Sequence, residues 1–174
     1  MTEPLVRSGS AHQGRIDAVT FDFWDTICCA PKVDATRAAR VERLTGVLHG
    51  VSGEPVTEER IEAAVLEVLA RFNQHWGENI QFTHVEAVDA LSEILGLTLD
   101  AEGRATVELA FTGEQRTTVP PLTPNVEVAV RALKDAGVRV GIICDVGLAP
   151  SRVLRRHLDH HGLLELFDHW SFSD

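Results

Sequence analysis

The sequence lacks any apolar run that reaches the roughly 18 residues of a membrane-spanning helix. It is also poor in positive charge, with 16 Lys and Arg against 26 Asp and Glu and a net charge of −10. The first absence predicts no membrane partner, and the second argues against nucleic acid as a partner. The N-terminal residues contain no apolar stretch typical of a secretory signal, and we interpret residues 1–14 as a disordered tail.

Cysteine is scarce as well. The chain has three, of which Cys28 and Cys29 are adjacent, and this spacing does not form a disulfide framework. Together with the missing signal, it predicts a cytoplasmic protein. Hydrophobic residues make up 44% of the 174, which predicts a globular chain with one domain core, or a core plus a small second lobe.

Three apolar segments predict β-strands. Residues 16–22 and 138–144 are interpreted as buried parallel strands because they are rich in β-branched and other apolar residues, and residues 167–172 are a plausible third strand. The strand–helix–strand order at the C-terminal end implies a right-handed parallel crossover. We therefore predict an α/β core, in which ligands bind beyond the carboxyl ends of the strands, where Asp22 and Cys144 lie.

The long segment between the first two strands has a helical pattern. Apolar residues recur at helical spacing and polar cap residues mark the starts, so that we predict four helices, over residues 34–49, 57–76, 83–95 and 100–112. Two further helices follow, the first from Thr123–Pro124 to Gly137 and the second from Pro150–Ser151 to Gly162. The helical block is interpreted as an insertion into the α/β core.

Basic residues recur on two of the predicted helices. His157 and His161 lie one helical turn apart, a spacing that zinc sites use, but no third ligand is apparent. Arg37, Arg40 and Arg43 lie close together in the first helix. We interpret both sets as solvated helix faces.

Asp22 directly follows the first strand, within the stretch VTFDFWDTICC at residues 19–29. A carboxylate at this position can act as a nucleophile, forming an ester or acyl phosphate that water later cleaves. It can equally cap the loop that follows the strand. Position alone does not decide between the two roles.

The wider pattern resembles the haloacid dehalogenase-like (HAD) hydrolase superfamily. VTFDFWDTI is similar to its first motif, an apolar strand followed by Asp-x-Asp-Gly-Thr, or by Asp-x-Tyr-Gly-Thr in the dehalogenases. PPLTPNVEVAVRALKDAGVRVGIICDVG is similar to the stretch leading to the second motif, a strand that ends in Ser or Thr, and GLLELFDHWSFSD looks like the segment just before the third. The resemblance implies a Rossmann-like parallel sheet core at residues 15–30 and 120–174, with residues 31–119 as an α-helical cap.

The resemblance also implies roles for single residues. Asp22 corresponds to the catalytic nucleophile, Thr26 to the threonine that steadies the loop, and Cys144 to the hydroxyl residue that binds the substrate's phosphate or carboxylate, although a thiol is a weaker donor. Trp24 occupies the position of the phosphatases' second Asp, the general acid/base, and its main-chain carbonyl could bind a metal together with Asp22. Asp25 lies on the motif's Gly position, and we interpret it as a loop carboxylate.

The family's remaining motifs are a Lys and an acidic pair that holds Mg²⁺. Both should follow shortly after FSD, but the sequence stops at Asp174, and Lys32 and Lys134 are its only lysines. We therefore expect a chain truncated before the third motif. In that case the strand at residues 16–22 is an exposed, apolar edge, which favours self-association.

Three functions remain open. We favour a phosphatase of a small phosphorylated metabolite, with Mg²⁺ and an aspartyl-phosphate intermediate as the resemblance implies. The apolar Trp24 instead favours a metal-independent hydrolase of the 2-haloacid dehalogenase type. Trp24, Cys144 and the missing motifs together favour a catalytically inactive scaffold or interaction protein, or a truncated fragment.

Overall fold

The computed structural model describes residues 16–53, 55–114 and 118–174, so the predicted tail at residues 1–14 lies outside the described residues. The elements follow one another as β1 (Ala18–Phe21), α1 (Val33–Val51), α2 (Glu58–Gly77), α3 (His84–Leu95), α4 (Ala101–Thr112), α5 (Val126–Asp135), β2 (Arg139–Cys144), α6 (Ser151–His160) and β3 (His169–Phe172). The predicted α/β fold class is confirmed. None of the helices in these ranges is long and apolar enough to span a membrane.

The three strands form one parallel sheet in the order β1-β2-β3. Two right-handed crossovers in the same direction place their helices on one face of a sheet, and α5 and α6 indeed share a buried cluster with β2. Val140 and Ile142 point into this cluster and are buried. Ile143 points to the opposite face and is 56% exposed. The described residues therefore cover only one face of the sheet.

β1 is less buried than the sequence predicts. Residues 16–22 were expected to form a buried strand in a complete sheet and an exposed edge in a truncated one. The strand comprises Ala18–Phe21, and its residues are alternately exposed and half-buried. The reason is its position, because in the described part of the chain β1 has a neighbouring strand on one side only. Apolar, β-branched composition does not distinguish a central strand from such an edge.

The helix boundaries follow from local capping chemistry. Thr83 and Glu86 form the predicted capping box of α3, in which the Glu86 carboxylate accepts a hydrogen bond from the Thr83 N–H at 2.7 Å. Asp100 caps α4 by accepting from the Gly103 N–H at 2.8 Å. A Cβ at Gly103 would lie 3.2 Å from the same carboxylate oxygen. Gly103, a poor helix former, thus leaves room for the cap.

The start of α5 differs from the prediction. Thr123–Pro124 were expected to begin the helix, but it begins at Val126, after Asn125 with a φ of 65°. The Thr123 hydroxyl donates instead to the Thr26 carbonyl at 2.6 Å. Thr123 is therefore occupied in joining this segment to the loop after β1, and it is not available as a helix cap.

The buried apolar side chains form two groups. One lies among α1–α4 and contains large, fully buried residues, among them Leu44, Leu48, Ile61, Leu91 and Phe111. The other lies between the sheet, α5 and α6. Leu148, between β2 and α6, packs with the helical group and so connects the two. The division into a core and a separate cap domain stays a prediction.

Candidate active site

Asp22 is the first residue after β1, at the carboxyl end of the sheet. The loop that follows is anchored by Phe23, whose carbonyl accepts hydrogen bonds from the N–H groups of Ile27 at 2.8 Å and Cys28 at 3.1 Å. Phe23 and Ile27 are fully buried, whereas Asp22 is exposed. A rigidly anchored loop therefore presents a solvent-accessible carboxylate.

Cys144 ends the neighbouring strand, and its thiol donates to the Asp145 carbonyl at 3.1 Å. Burial raises the pKa of the Cys144 thiol to about 12, and the negative charge of Asp22 adds to the rise. At neutral pH Cys144 is therefore a neutral thiol. A nucleophilic cysteine needs the opposite, a lowered pKa, so Cys144 is not activated as a nucleophile; it is a buried residue at the end of β2.

Two further carboxylates lie near this edge of the sheet, and both are used to fix loops. An Asp145 oxygen accepts hydrogen bonds from the Gly147 N–H and the Ser173 hydroxyl, each at 2.9 Å. The Asp174 carboxylate accepts from the N–H of Ser151, the first residue of α6, at 2.8 Å. These bonds join the segments that follow β2 and β3.

The described residues do not fit a magnesium ion by themselves. Mg²⁺ requires a nearly octahedral shell of oxygen ligands. Asp145 and Asp174 each hold a loop through one carboxylate oxygen. The resemblance offers as ligands only the Asp22 carboxylate and the main-chain carbonyl of Trp24, which are too few. Within the described ranges no group of three or more His, Cys, Asp or Glu could hold a metal. Metal binding by Asp22 and Trp24 stays a prediction.

The Trp24 ring is packed against its surroundings. It contacts Phe23 edge-on, with ring centroids 4.9 Å apart, and lies 6.4 Å from the His157 ring. The prediction that His157 lies on a solvated helix face is wrong, because α6 turns it towards Trp24 and leaves it only 6% exposed. His161 does not face His157 as a second zinc ligand would, since its Nε2 contacts the Pro120 carbonyl at 2.8 Å.

Asp25 and Thr26 shape the loop. Asp25 has a φ of 55°, a left-handed conformation that favours Gly and that Asp tolerates better than most residues. Its carboxylate accepts a hydrogen bond from the Ala30 N–H at 2.8 Å. Asp25 is thus a loop carboxylate, as interpreted from the sequence. Thr26 is exposed, and its carbonyl accepts the hydrogen bond from Thr123.

Two connecting segments, residues 27–32 and 118–123, join the helical group to the sheet and pair with each other. The Cys29 N–H donates to the Pro121 carbonyl at 2.9 Å, and the Thr123 N–H donates to the Ile27 carbonyl at 2.9 Å. This pairing holds both segments beside the loop that carries Asp22.

The loop between α2 and α3 reaches the same edge of the sheet. Gln81 Nε2 donates to the Ser173 hydroxyl at 3.4 Å, and a Cβ built at Gly147 would lie 3.5 Å from the Phe72 ring. A small cavity of about 180 Å³ opens here, and it is lined by Trp76, Asn79, Ile80, Gln81 and Asp145. The helical group therefore forms one wall of the opening next to Asp145.

Known proteins resemble this chain in sequence pattern and in fold. Residues 16–174 match the family model of the haloacid dehalogenase-like hydrolases. A HAD-hydrolase structure from Bacillus subtilis bound to magnesium is 18% identical, with a TM-score of 0.51, and the match covers 92% of this chain and 64% of that one. At this identity the likeness concerns the fold alone. No curated protein matches the chain significantly.

Two other solved structures are similar at lower TM-scores. A predicted phosphoglycolate phosphatase from Haemophilus somnus is 16% identical with a TM-score of 0.47, and covers 93% of this chain and 64% of its own. An L-2-haloacid dehalogenase is 20% identical with a TM-score of 0.44, over 91% of this chain and 64% of its own. The chain thus spans less than two thirds of the length of these proteins.

Proposed function

Because the chain belongs to the haloacid dehalogenase-like hydrolases, we propose that it hydrolyses a small phosphorylated metabolite with Asp22 as the nucleophile. The observation that carries this proposal is the exposed Asp22 carboxylate at the carboxyl end of β1, beside the end of β2. Ligands of open parallel sheets bind at this edge. The contact of the α2–α3 loop with Ser173 supports a role for residues 31–119 as a cap over the same edge.

In the proposed reaction the Asp22 carboxylate attacks the phosphorus atom, the bond to the leaving oxygen breaks, and an aspartyl phosphate forms. Water then attacks the acyl phosphate and regenerates the carboxylate. The neutral Cys144 thiol can donate only a weak hydrogen bond at this site. The Trp24 ring cannot protonate the leaving group, a form of catalysis that typically contributes about 10²–10⁴-fold. We therefore expect slow turnover of substrates whose leaving group is an alkoxide, because an alkoxide needs a proton to leave.

Trp24 supports a second candidate, a hydrolase of the 2-haloacid dehalogenase type. Here Asp22 displaces a halide ion from carbon and forms an ester that water cleaves. A halide leaves without a proton, so this reaction needs no general acid at position 24 and an apolar ring there does not slow it. A third candidate is an inactive scaffold, which is supported by Trp24 and by the thiol of Cys144 in place of a hydroxyl.

Magnesium separates the two enzymatic candidates. The family implies Mg²⁺ as the phosphatase's cofactor. Among the described residues Asp22 is the carboxylate that could help to hold it, but these residues alone do not complete its shell of oxygen ligands. Turnover of an aryl phosphate that requires Mg²⁺ and is abolished by EDTA would favour the phosphatase. Turnover of a 2-haloacid that survives EDTA would favour the dehalogenase instead.

The nucleophile is tested by replacing Asp22 with Asn. We expect Asp22→Asn to lower turnover by orders of magnitude, because an amide cannot form the covalent intermediate. Asp25→Asn, in the same loop, is the matched control, because Asn tolerates the positive φ and keeps an acceptor for the Ala30 N–H. Asp22→Asn activity within a few-fold of wild type would refute the assignment, and wild-type protein inactive on both substrate classes would favour the scaffold.

A further inference from the structure

The small cavity between the α2–α3 loop and Asp145 has a lining that the proposed reaction leaves without a role. We call it the loop cavity. Its volume of about 180 Å³ is below the roughly 300–1,000 Å³ of complete small-molecule sites, so it has room for only part of a substrate. The residues described in its lining are Trp76, Asn79, Ile80, Gln81 and Asp145.

The loop cavity lies close to the proposed nucleophile. The register of β1 and β2, extended by one residue, places Asp22 beside Ile143. Asp145 follows two residues later, and two residues of an extended chain span about 7 Å. Ser173 bonds to both Gln81 and Asp145, and so holds the two sides of the cavity at this edge of the sheet. A substrate whose phosphate reaches Asp22 thus has its leaving group close to the loop cavity.

The helical side of the cavity is apolar and exposed. Trp76, near the end of α2, is 56% exposed, and Ile80 is 52% exposed. The Trp76 ring packs against the Phe72 ring, with centroids 5.9 Å apart. Large apolar side chains that stay exposed beside a cavity favour an apolar ligand, because contact with it removes their surface from water.

Backbone hydrogen bonds fix the loop that carries these side chains. The Asn79 N–H donates to the Trp76 carbonyl at 3.1 Å, and the Ile80 N–H donates to the His75 carbonyl at 2.9 Å. Asn79 has a φ of 54°, a left-handed conformation in which Asn is enriched. The apolar pair Trp76 and Ile80 is therefore already in place before a ligand binds, which lowers the entropic cost of binding.

The electrostatics of the loop cavity disfavour an anion. Asp145 is the only ionisable side chain in the described lining, and no Lys, Arg or His is found there. The chain as a whole has a net charge of −10. A second anionic group on the leaving side of the substrate would meet no positive side chain in this lining, and the Asp145 carboxylate would repel it.

The buried arginines of α1 do not supply the missing positive charge. The prediction of a solvated face is wrong for Arg40, because α1 packs this residue against the end of α4 and leaves it 7% exposed. Its Nε–H donates to the Phe111 carbonyl at 2.9 Å. The Nε–H of Arg43 donates in the same way to the Ala110 carbonyl at 2.7 Å. Neither arginine lines the loop cavity.

We propose that the loop cavity makes the enzyme selective for phosphate monoesters whose leaving group is apolar and carries no second negative charge. Trp76 and Ile80 contact the apolar body, and the Asp145 carboxylate repels an acidic one. Aryl and alkyl phosphates fit this description, whereas phosphorylated acids and bisphosphates do not. The inference rests on the proposed function, because it assigns the leaving group of that reaction.

Phenyl phosphate and 3-carboxyphenyl phosphate form the test pair, because they differ by one carboxylate and their leaving phenols have similar acidity. Turnover of both esters by the 174-residue chain is measured with Mg²⁺ present. Their binding is measured by calorimetry on Asp22→Asn, which leaves the esters intact. We expect both kcat/KM and affinity to be higher for phenyl phosphate by about tenfold or more.

Trp76→Ala tests the apolar contact. We expect it to weaken the binding of phenyl phosphate to the Asp22→Asn chain by about tenfold, because the lost ring surface contacts only the leaving group. Binding of inorganic phosphate, which has no leaving group, should stay unchanged. Leu66→Ala is the matched control, since Leu66 is also on α2 and 45% exposed but does not line the loop cavity.

Ile80→Lys tests the charge selection. A cation at this position should raise the affinity for 3-carboxyphenyl phosphate relative to phenyl phosphate by about tenfold. Val85→Lys places the same charge on α3, at a residue that is 41% exposed and outside the loop cavity. It should leave the ratio of the two affinities as in wild type.

The binding measurements separate the two ways of failing. A wild-type chain that hydrolyses neither ester, while Asp22→Asn still prefers phenyl phosphate, would refute the hydrolase function and keep the selective cavity. Turnover of both esters without preference would keep the hydrolase and overturn the selectivity. The selectivity is also overturned if neither ester binds, if Trp76→Ala weakens inorganic phosphate as much as phenyl phosphate, or if Val85→Lys changes the preference as much as Ile80→Lys.

Discussion

At the scale of single residues, the sequence pattern predicts some features of the site and misses others. Asp25 is found at the glycine position of the first motif, and its φ of 55° explains why that position favours glycine. The loop could thus be predicted from the residue types. The burial of Arg40 could not, because it depends on Phe111, 71 residues away. Helical periodicity gives the face on which a residue lies and does not show what packs against that face.

The three thiols should differ sharply in reactivity. Burial raises the pKa of both Cys28 and Cys144 to about 12, and both are buried, whereas Cys29 is half-buried. The thiolate is the reactive form. At pH 8 we expect Ellman's reagent to label Cys29 in the native protein and all three cysteines in denaturant. Cys29→Ser should remove the native-state reaction, and two or more reactive thiols in the folded chain would contradict the expected burial.

Elements were predicted best where a local signal marks their ends. The starts of α3 and α4 follow from caps that the sequence displays, namely Thr83 with Glu86 and Asp100. Residue preferences failed at α5, where Thr123 bonds to Thr26 across 97 residues. A capping hydroxyl bonds to a backbone group close to it in the sequence. When the same hydroxyl has a partner far away in the sequence, it does not cap the helix, and the local sequence does not show this.

Arg152 joins two elements that belong to different buried groups. Its Nε contacts Glu114 at 2.6 Å and its Nη2 contacts Glu108 of α4 at 2.8 Å. We expect Arg152→Gln to lower the free energy of unfolding by about 0.5–1 kcal/mol at low salt, since such partly exposed pairs contribute little. The loss should largely vanish in about 1 M NaCl, where the screening length is about 3 Å. Denaturant titrations at both salt concentrations measure it.

Arg131→Gln is the control for this prediction. Arg131 pairs with Glu127 at 3.0 Å one turn away on the same helix, so its loss should cost only about 0.3–0.5 kcal/mol. An Arg152→Gln protein no less stable than Arg131→Gln at low salt would contradict the bridging role. Equal destabilisation at both salt concentrations would also contradict it, because packing and not charge would then be responsible.

At the scale of the whole molecule, the parallel pairing of the last two strands was predicted from the order of elements along the chain and is confirmed, whereas the free edge of β1 was expected only for a truncated chain. The Arg139 N–H donates to the Asp17 carbonyl, and alternate residues of a parallel strand point their backbone groups to opposite sides. Val19 and Phe21 therefore face β2. Ala18 and Thr20 present their N–H and C=O groups to the other edge, where the structure describes no partner strand.

We propose that the 174-residue polypeptide self-associates through this edge of β1. The strand carries no Lys or Pro to prevent pairing, and Ile16 beside it is 67% exposed. Thr20→Pro removes a donor on the free edge and is tolerated there because the ladder to β2 does not use it. Light scattering after size-exclusion chromatography should show concentration-dependent association for wild type and a shift towards monomer for Thr20→Pro. Thr20→Val keeps the N–H group and should associate as wild type does. A wild-type chain that stays monomeric at every concentration, or a Thr20→Pro variant that associates equally well, would show that β1 is not the contact.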